Sequence, residues 1–116
     1  MIEVILLNFL KSKLDVPVYA LMPDLTKNKE FVLIEKTFEN NTNQLKECNI
    51  AIQSYADSLY NAILLDEHVQ KSMELFDAVD NIASVHLTND YNFTDTTTKK
   101  YRYQAIYKIK YYKEDK

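Results

Sequence analysis

The sequence predicts an α+β domain in which helices pack on one face of an antiparallel sheet. Two observations support this class: two segments carry the spacing of amphipathic helices, and the segments around the second one alternate between apolar and polar residues. The predicted order is α-β-β-β-α-β-β, with about five strands. A chain of 116 residues can bury a core of its own, so we expect a single domain over 1–116.

The first half of the chain predicts one helix and three strands. Apolar residues three and four apart predict a helix over 2–14, which Pro17 ends because the residue before a proline avoids helical backbone. The polar stretch from Glu39 to Lys46 predicts a surface loop between the second and third strands. The strands themselves are joined by short links, are expected to pair antiparallel, and span 16–22, 31–37 and 48–54.

The second half predicts a helical segment followed by a hairpin. Apolar spacing predicts helix over 57–79, with Asp57 or Ser58 as the N-cap. Because Asp66 can cap a fresh helix, the segment is either one bent rod or two short helices. Two long strands then fold back on each other around the polar stretch 94–100, and they span 83–93 and 101–111.

The last strand has the most regular alternation in the chain. Its even positions hold three cations and a glutamine, so the odd positions are predicted to form a buried face. We expect Tyr103 and Tyr107, near the strand centre, to contribute most to the core. The residues of this face are Tyr101, Tyr103, Ala105, Tyr107, Ile109 and Tyr111.

Glycine is absent from the chain. Left-handed turns must therefore use other residues, and asparagine and aspartate tolerate that conformation best. We expect the segments Asn40–Asn43 and Asn89–Asp90 at turns or bulges. The same absence excludes the glycine-rich phosphate loops of nucleotide enzymes.

No residues in the sequence carry the spacing of a catalytic or metal site. His68 and His86 show no ligand spacing to each other, to a cysteine or to an acid. Cys48 is the one cysteine, which excludes an internal disulfide, and a lone strand cysteine is more often a small buried hydrophobe than a nucleophile. We therefore expect a protein that is not an enzyme and that binds no cofactor or metal.

The sequence also gives no sign of membrane association. Its longest apolar run is too short to cross a bilayer, and Met1–Ile5 has neither a basic segment nor a cleavage site. We expect no signal peptide, no anchor and a cytoplasmic product.

Charge is distributed unevenly along the chain. Residues 1–98 hold seven lysines and 15 acids, a balance of −8, whereas residues 99–116 hold seven cations and two acids, a balance of +5. Either the outer face of the last strand is simply solvated, with lysines that protect a sheet edge, or this basic edge contacts the acidic body of another copy and the head-to-tail contacts close a ring. The interface candidates on this strand are Arg102, Lys108 and Lys110.

The tyrosines and cations of the last strand also raise single-stranded nucleic-acid binding, which uses aromatic platforms beside basic groups. Two observations count against it. The two residue types occupy opposite faces of the strand, and the sequence pI is near 5.3.

Four segments carry a family resemblance: Phe31–Thr37, Asn49–Ala56, Asn89–Asp95 and Lys100–Tyr107. In the same order, and over nearly the whole chain, they resemble the tail-completion or tail-terminator proteins of long-tailed phages and prophages of Gram-positive bacteria. These motifs are structural rather than catalytic. The resemblance implies a small α+β subunit without an active site, which forms a ring, commonly of six, at the head-proximal end of the tail tube.

The resemblance also implies a role and partners. The chain would be a structural virion protein that stops tube growth and mediates head-tail joining, in contact with its own copies, the major tail tube protein and head-tail connector proteins. It would pass from the host cytoplasm during assembly to the tail of the mature virion. The alternative is a small intracellular binding module for a peptide or a single-stranded nucleic acid.

The resemblance departs from the family at one loop. Family members usually carry glycines after the second strand, whereas the corresponding segment here has none. Its length and polarity still suit a surface segment that becomes ordered against a neighbouring subunit. Its interface candidates are Glu39, Asn40, Asn41, Thr42 and Asn43.

Overall fold

The computed structural model describes residues 1–27, 29–42, 44–97 and 100–113 and confirms the predicted α+β class. Helices and strands follow the predicted order, with a short 3-10 helix added after the second α-helix. The elements are α1 (Ile2–Lys13), β1 (Val18–Tyr19), β2 (Phe31–Thr42), β3 (Leu45–Ala56), α2 (Leu59–Met73), the 3-10 helix (Phe76–Ala78), β4 (Ile82–Asn92) and β5 (Tyr101–Tyr112).

The five strands form one sheet in the order β1-β2-β3-β5-β4. The two hairpins, β2–β3 and β4–β5, are antiparallel, and β3 also pairs antiparallel with β5. The prediction for the first strand is wrong in length and direction, since β1 has two residues and pairs parallel with β2. The connection over 20–30 returns the chain to the end of the sheet at which β1 begins. β2 therefore starts at that end and runs in the same direction as β1.

The predicted loop from Glu39 to Lys46 is instead the distal part of the β2–β3 hairpin. Backbone pairing continues outward through Asn40 opposite Glu47 to Thr42 opposite Leu45. A polar composition suggested a loop, but a ladder is formed by backbone groups and tolerates polar side chains where both faces meet water. A register shift between Lys36 and Phe38 marks a β-bulge in β2, so the alternation changes face there.

Only one α-helix occupies the second helical segment. Ser58 is its N-cap, and its Oγ accepts a hydrogen bond of 3.1 Å from the backbone N–H of Asn61. Asp66 lies inside this helix and is buried, so it does not start a second one. The chain leaves α2 through the 3-10 helix, and Asn81 at φ 73° makes the left-handed turn into β4 that a glycine often makes.

The main core lies between the helices and one face of the sheet. Leu6 and Leu10 of α1 and Val69 of α2 pack against strand residues such as Ile50 and Ile109, all fully buried. Phe9 and Phe76 join α1 to the 3-10 helix with ring centroids 5.0 Å apart.

A second, smaller core lies on the opposite face of the sheet. Phe31, Leu33 and Tyr55 pack there against Tyr19 of β1 and Leu25 of the connection that follows it. The rings of Phe31 and Tyr55 stack with centroids 4.5 Å apart. This end of the sheet is therefore covered on both faces.

The tyrosine face of β5 is buried only in part. Tyr107 and Tyr111 are buried in the main core, whereas Tyr103 is half-buried and Tyr101 is exposed. Tyr101 is the first residue of β5 and lies opposite Ala56, the last residue of β3, so its side chain is at the rim of the sheet. Gln104, on the opposite face, is buried because the second core and its polar neighbours cover that end.

Candidate subunit-contact surface

Among the residues that the structure describes, no buried hydrophobic cluster covers the half of the outer sheet face beyond the second core. Residues directly opposite each other on paired strands share a face, so the register aligns Phe38, Asn49, Lys108 and His86 in one row and Asn40, Glu47, Lys110 and Ser84 in the next. Of these, we call the following six the open sheet patch: Phe38, Asn40, Glu47, His86, Lys108 and Lys110.

The open sheet patch presents cations and one large aromatic ring to solvent. Phe38 is 50% exposed, which is unusual for so large an apolar side chain in a strand. Lys108 Nζ lies 3.5 Å from Glu47 Oε2, but this pair is largely solvated and weak. Lys110 has no ion pair within the parts of the chain that the structure describes.

Three of the predicted interface residues, Asn40, Lys108 and Lys110, come together on this patch. The sequence did not identify Phe38, Glu47 and His86 as their neighbours. The polar alternation around His86 could have placed this residue on the outer face of the sheet. The face of Phe38 was not predictable, because the bulge in β2 changes the alternation just before it. The side chain of Thr42 and the whole of Asn43 lie outside the described residues.

Glu39 is engaged within its own subunit and not free for a partner. It lies on the helix side, where it accepts a short hydrogen bond from Tyr111 Oη and approaches Lys36 Nζ at 3.2 Å. The Tyr111 hydrogen bond, with help from Lys36 and Lys46, holds the pKa of Glu39 below its usual value. Lys36 Nζ also lies 3.4 Å from Glu3 Oε2, so this cluster ties α1 to the hairpin. Asn41 shares the helix side of the strand.

Arg102 supports the fold rather than an interface. Its guanidinium lies 4.3 Å from the Phe93 ring centroid and 5.6 Å from that of Tyr55. Its Nη1 donates to Tyr55 Oη at 2.7 Å, and its Nε donates to the Phe93 carbonyl at 2.5 Å. These contacts leave the guanidinium with fixed partners inside the subunit.

A glutamine pair extends this network across the sheet. Gln53 Nε2 donates to Gln104 Oε1 at 2.7 Å, and Gln104 Nε2 donates to Tyr91 Oη at 2.5 Å. Tyr55 Oη donates to Gln53 Oε1 at 3.2 Å, which links the pair to Arg102. The network satisfies buried polar groups that would otherwise be costly.

The basic strand is not an edge, which corrects the expectation from the sequence. β5 lies between β3 and β4. One edge of the sheet is β4 over its 11 residues, and at the other edge the two residues of β1 pair only with the start of β2. A strand with an apolar face buries most surface when it lies in the interior of the sheet, because the helices cover that face there. Lys108 and Lys110 therefore project from a flat face instead of guarding an edge.

A groove of about 530 Å³ lies between the end of α1 and α2. Leu14, Leu64 and Leu75 contribute its apolar surface. Lys13, Lys71, Asp15 and Glu30 lie around it, so its fixed charges cancel and favour no ligand of either sign.

The described part of the chain offers little catalytic chemistry. It contains no group of three or more histidine, cysteine or acidic side chains placed to hold a metal ion. Cys48 is buried, and desolvation, with the nearby Glu39 charge, raises the pKa of its thiol to about 12. None of the helices in the ranges described is long and apolar enough to span a membrane.

No protein-family model matches this chain, and no curated protein matches it at a significant level.

Proposed function

We propose that this chain is a structural virion protein of a long-tailed phage or prophage, which caps the head-proximal end of the tail tube as a ring and mediates head-tail joining. The sequence resemblance suggests this role. The segments that carry it fall on β2, β3 and the β4–β5 hairpin, the strands that form the sheet. A scaffold role suits motifs that lie in a sheet rather than around a pocket.

The observation that carries the proposal is the open sheet patch, with the free edge of β4 beside it. A flat face with an exposed phenylalanine, unburied lysines and an adjoining edge is the kind of surface that a neighbouring subunit covers. Phe38 would supply apolar contact area there, since charge pairs at a solvated surface contribute only ~0 to 1 kcal/mol each.

One group of exposed acids would serve a head-to-tail arrangement of copies. Four acids, Glu67, Glu74, Asp77 and Asp80, lie exposed on α2, the 3-10 helix and the turn after it, on the opposite side of the sheet from the open patch, whereas the other exposed acids are spread over the rest of the surface. Leu75 and Leu87, both exposed, lie in this region as apolar contacts. Opposite surfaces of one subunit can then meet in successive copies, and such heterologous contacts close into a ring when the rotation permits.

The test is a charge reversal on the patch. Lys108→Glu with Lys110→Glu should shift the assembly to smaller species in light scattering coupled to size exclusion, and should abolish rings in negative-stain micrographs. The matched control is Lys11→Glu with Lys13→Glu, an equal charge change on exposed positions of α1. Unchanged assembly in the patch variant, or a wild-type protein that is monomeric alone and beside tail tubes, would contradict the proposal.

A phage that lacks the gene gives the second readout. We expect tails of uncontrolled length and heads that do not join them, with normal tails restored by the wild-type gene. Normal virions at normal yield from the deletion phage would contradict the tail-terminator role, although not the self-assembly of the protein.

The alternative function is a binding module for a single-stranded nucleic acid. One observation favours it: Phe38 lies on the same face as Lys108 and Lys110. An aromatic ring for stacking a base and two cations for the phosphates are therefore available to one bound strand. Glu47 on the same patch counts against it. Fluorescence anisotropy with an oligo-dT strand separates the two functions, because phosphate binding by the patch must weaken steeply with salt and disappear in the Lys108→Glu, Lys110→Glu variant.

A further inference from the structure

Two carboxyl groups meet between α2 and the edge strand β4. Asp66 points from α2 toward the sheet and is only 2% exposed. Asp90 lies on β4 and shares its row with Ala105 and Ile52, on the side that the helices cover. Asp90 itself is exposed, so the pair connects the interior with the surface.

One amide group bridges the two carboxyls. Gln70 Nε2 donates to Asp66 Oδ2 at 2.8 Å and to Asp90 Oδ2 at 2.9 Å. The other oxygen of Asp66, Oδ1, is buried and has no hydrogen-bond donor among the described residues. A buried carboxylate oxygen without a donor is costly, whereas a proton on one carboxyl turns it into a donor for the other.

The surroundings of the pair are acidic. Glu67 of α2 places a negative charge next to Asp66. Glu74, after the end of α2, lines the same groove as Tyr107 of β5. Burial, followed by the hydrogen-bonding and charge effects of Asp90, raises the pKa of Asp66 to about 7. Burial, with Asp66, Asp90 and Glu74, also raises the pKa of Tyr107, which therefore stays neutral and adds no charge at physiological pH.

We propose that Asp66 and Asp90 share one proton and form a pH-sensitive latch between α2 and edge strand β4. When the proton is present, the two carboxyls and Gln70 form a continuous hydrogen-bonded bridge from the helix to the edge. When it is lost, two negative charges face each other across the same amide and the bridge weakens. The latch thus controls how firmly α2 holds the edge strand β4, with its exposed Leu87.

The sign of the pH effect follows from which state holds the proton more tightly. The folded state keeps the proton up to about pH 7, whereas an unfolded aspartate loses it near its ordinary value of 3.8. The folded state therefore binds more protons between these values, and stability falls as pH rises through the window. Above this window Asp66 is ionised in both states, and this pair no longer makes stability change with pH.

The test compares wild type with Asp66→Asn, which is nearly isosteric and keeps a donor toward Asp90 at every pH. In urea unfolding from about pH 5 to about pH 8, the wild-type unfolding constant should rise at least tenfold and up to roughly a hundredfold, with most of the rise below about pH 7. Asp66→Asn should lose this slope. Glu67→Gln is the matched control, since it removes an adjacent but exposed charge and should keep the slope. The two histidines are present in every variant, so the comparison between variants removes their contribution.

A second measurement does not depend on a variant. The carboxyl carbon of Asp66 in the wild-type protein should titrate near neutral pH by NMR, and amide exchange in Asn89–Asn92 should increase with pH beyond its intrinsic rate over the same range. A midpoint at the ordinary value of an aspartate, or parallel pH profiles for wild type and Asp66→Asn, would overturn the latch.

Discussion

Tyr107→Ala should be among the most damaging single changes in β5. The side chain is 4% exposed and lies in the main core, opposite Ile50 of β3 and Leu87 of β4, with Met73 of α2 across the groove. Truncation removes a whole ring from the layer between helix and sheet. The backbone of a central strand, hydrogen-bonded on both sides, cannot collapse into the space left behind.

The expected magnitude follows from this burial. Truncating a fully buried aromatic typically costs ~3 to 5 kcal/mol, a large part of the roughly 5 to 15 kcal/mol of a natural domain. Tyr103→Ala should cost about half as much, because Tyr103 is only half-buried on the same strand. The sequence ranks these two tyrosines equally, and the structure separates them.

The assay is urea unfolding followed by circular dichroism at constant pH. Tyr107→Phe is the matched control, because it keeps the ring and removes only the hydroxyl. The reasoning is refuted if Tyr107→Ala loses less than about 1 kcal/mol, or if Tyr103→Ala is the more damaging change.

Two further predictions concern α2 and the one cysteine. Ser58→Ala should lower stability by ~1 kcal/mol, because it removes the acceptor for the Asn61 N–H. Asp57→Ala, which changes the other cap candidate from the sequence, should cost much less. Equal effects of the two variants in thermal melts would contradict Ser58 as the cap. Cys48 should not react with a thiol reagent in the native protein at pH 8, because the thiol is buried and its pKa lies at about 12, and should react at once in denaturant; rapid native labelling would show that the β3 core opens.

The candidate surface was only partly predictable from the sequence. Lys108 and Lys110 were found from alternation, which places even-numbered residues of β5 on one face whatever lies beside them. Phe38 was missed because the bulge in β2 shifts its face, and bulges have no reliable sequence signature. Glu39 was assigned to an interface because its segment is polar, whereas its partner Tyr111, 72 positions away in the chain, reaches it only in the folded protein.

Buried polar groups were the least predictable part of the molecule. Gln53 and Gln104 lie 51 positions apart in the chain and hydrogen-bond only because β3 pairs with β5 in one register. Asp66 looked like a helix cap because aspartate favours caps in general. Its partner, Asp90, is on a strand that α2 meets only in the folded state.

The sequence by itself determined the α+β class, the order of helices and strands, the N-cap region of α2 and the β4–β5 hairpin. These depend on periods of two and 3.6 residues and on short turns, which neighbours in the chain encode. Tertiary structure alone decided the strand order, the parallel pairing of β1, the extension of the β2–β3 hairpin and the choice of covered face. Those features depend on contacts between distant segments, since backbone groups pair with whichever strand the core brings alongside them.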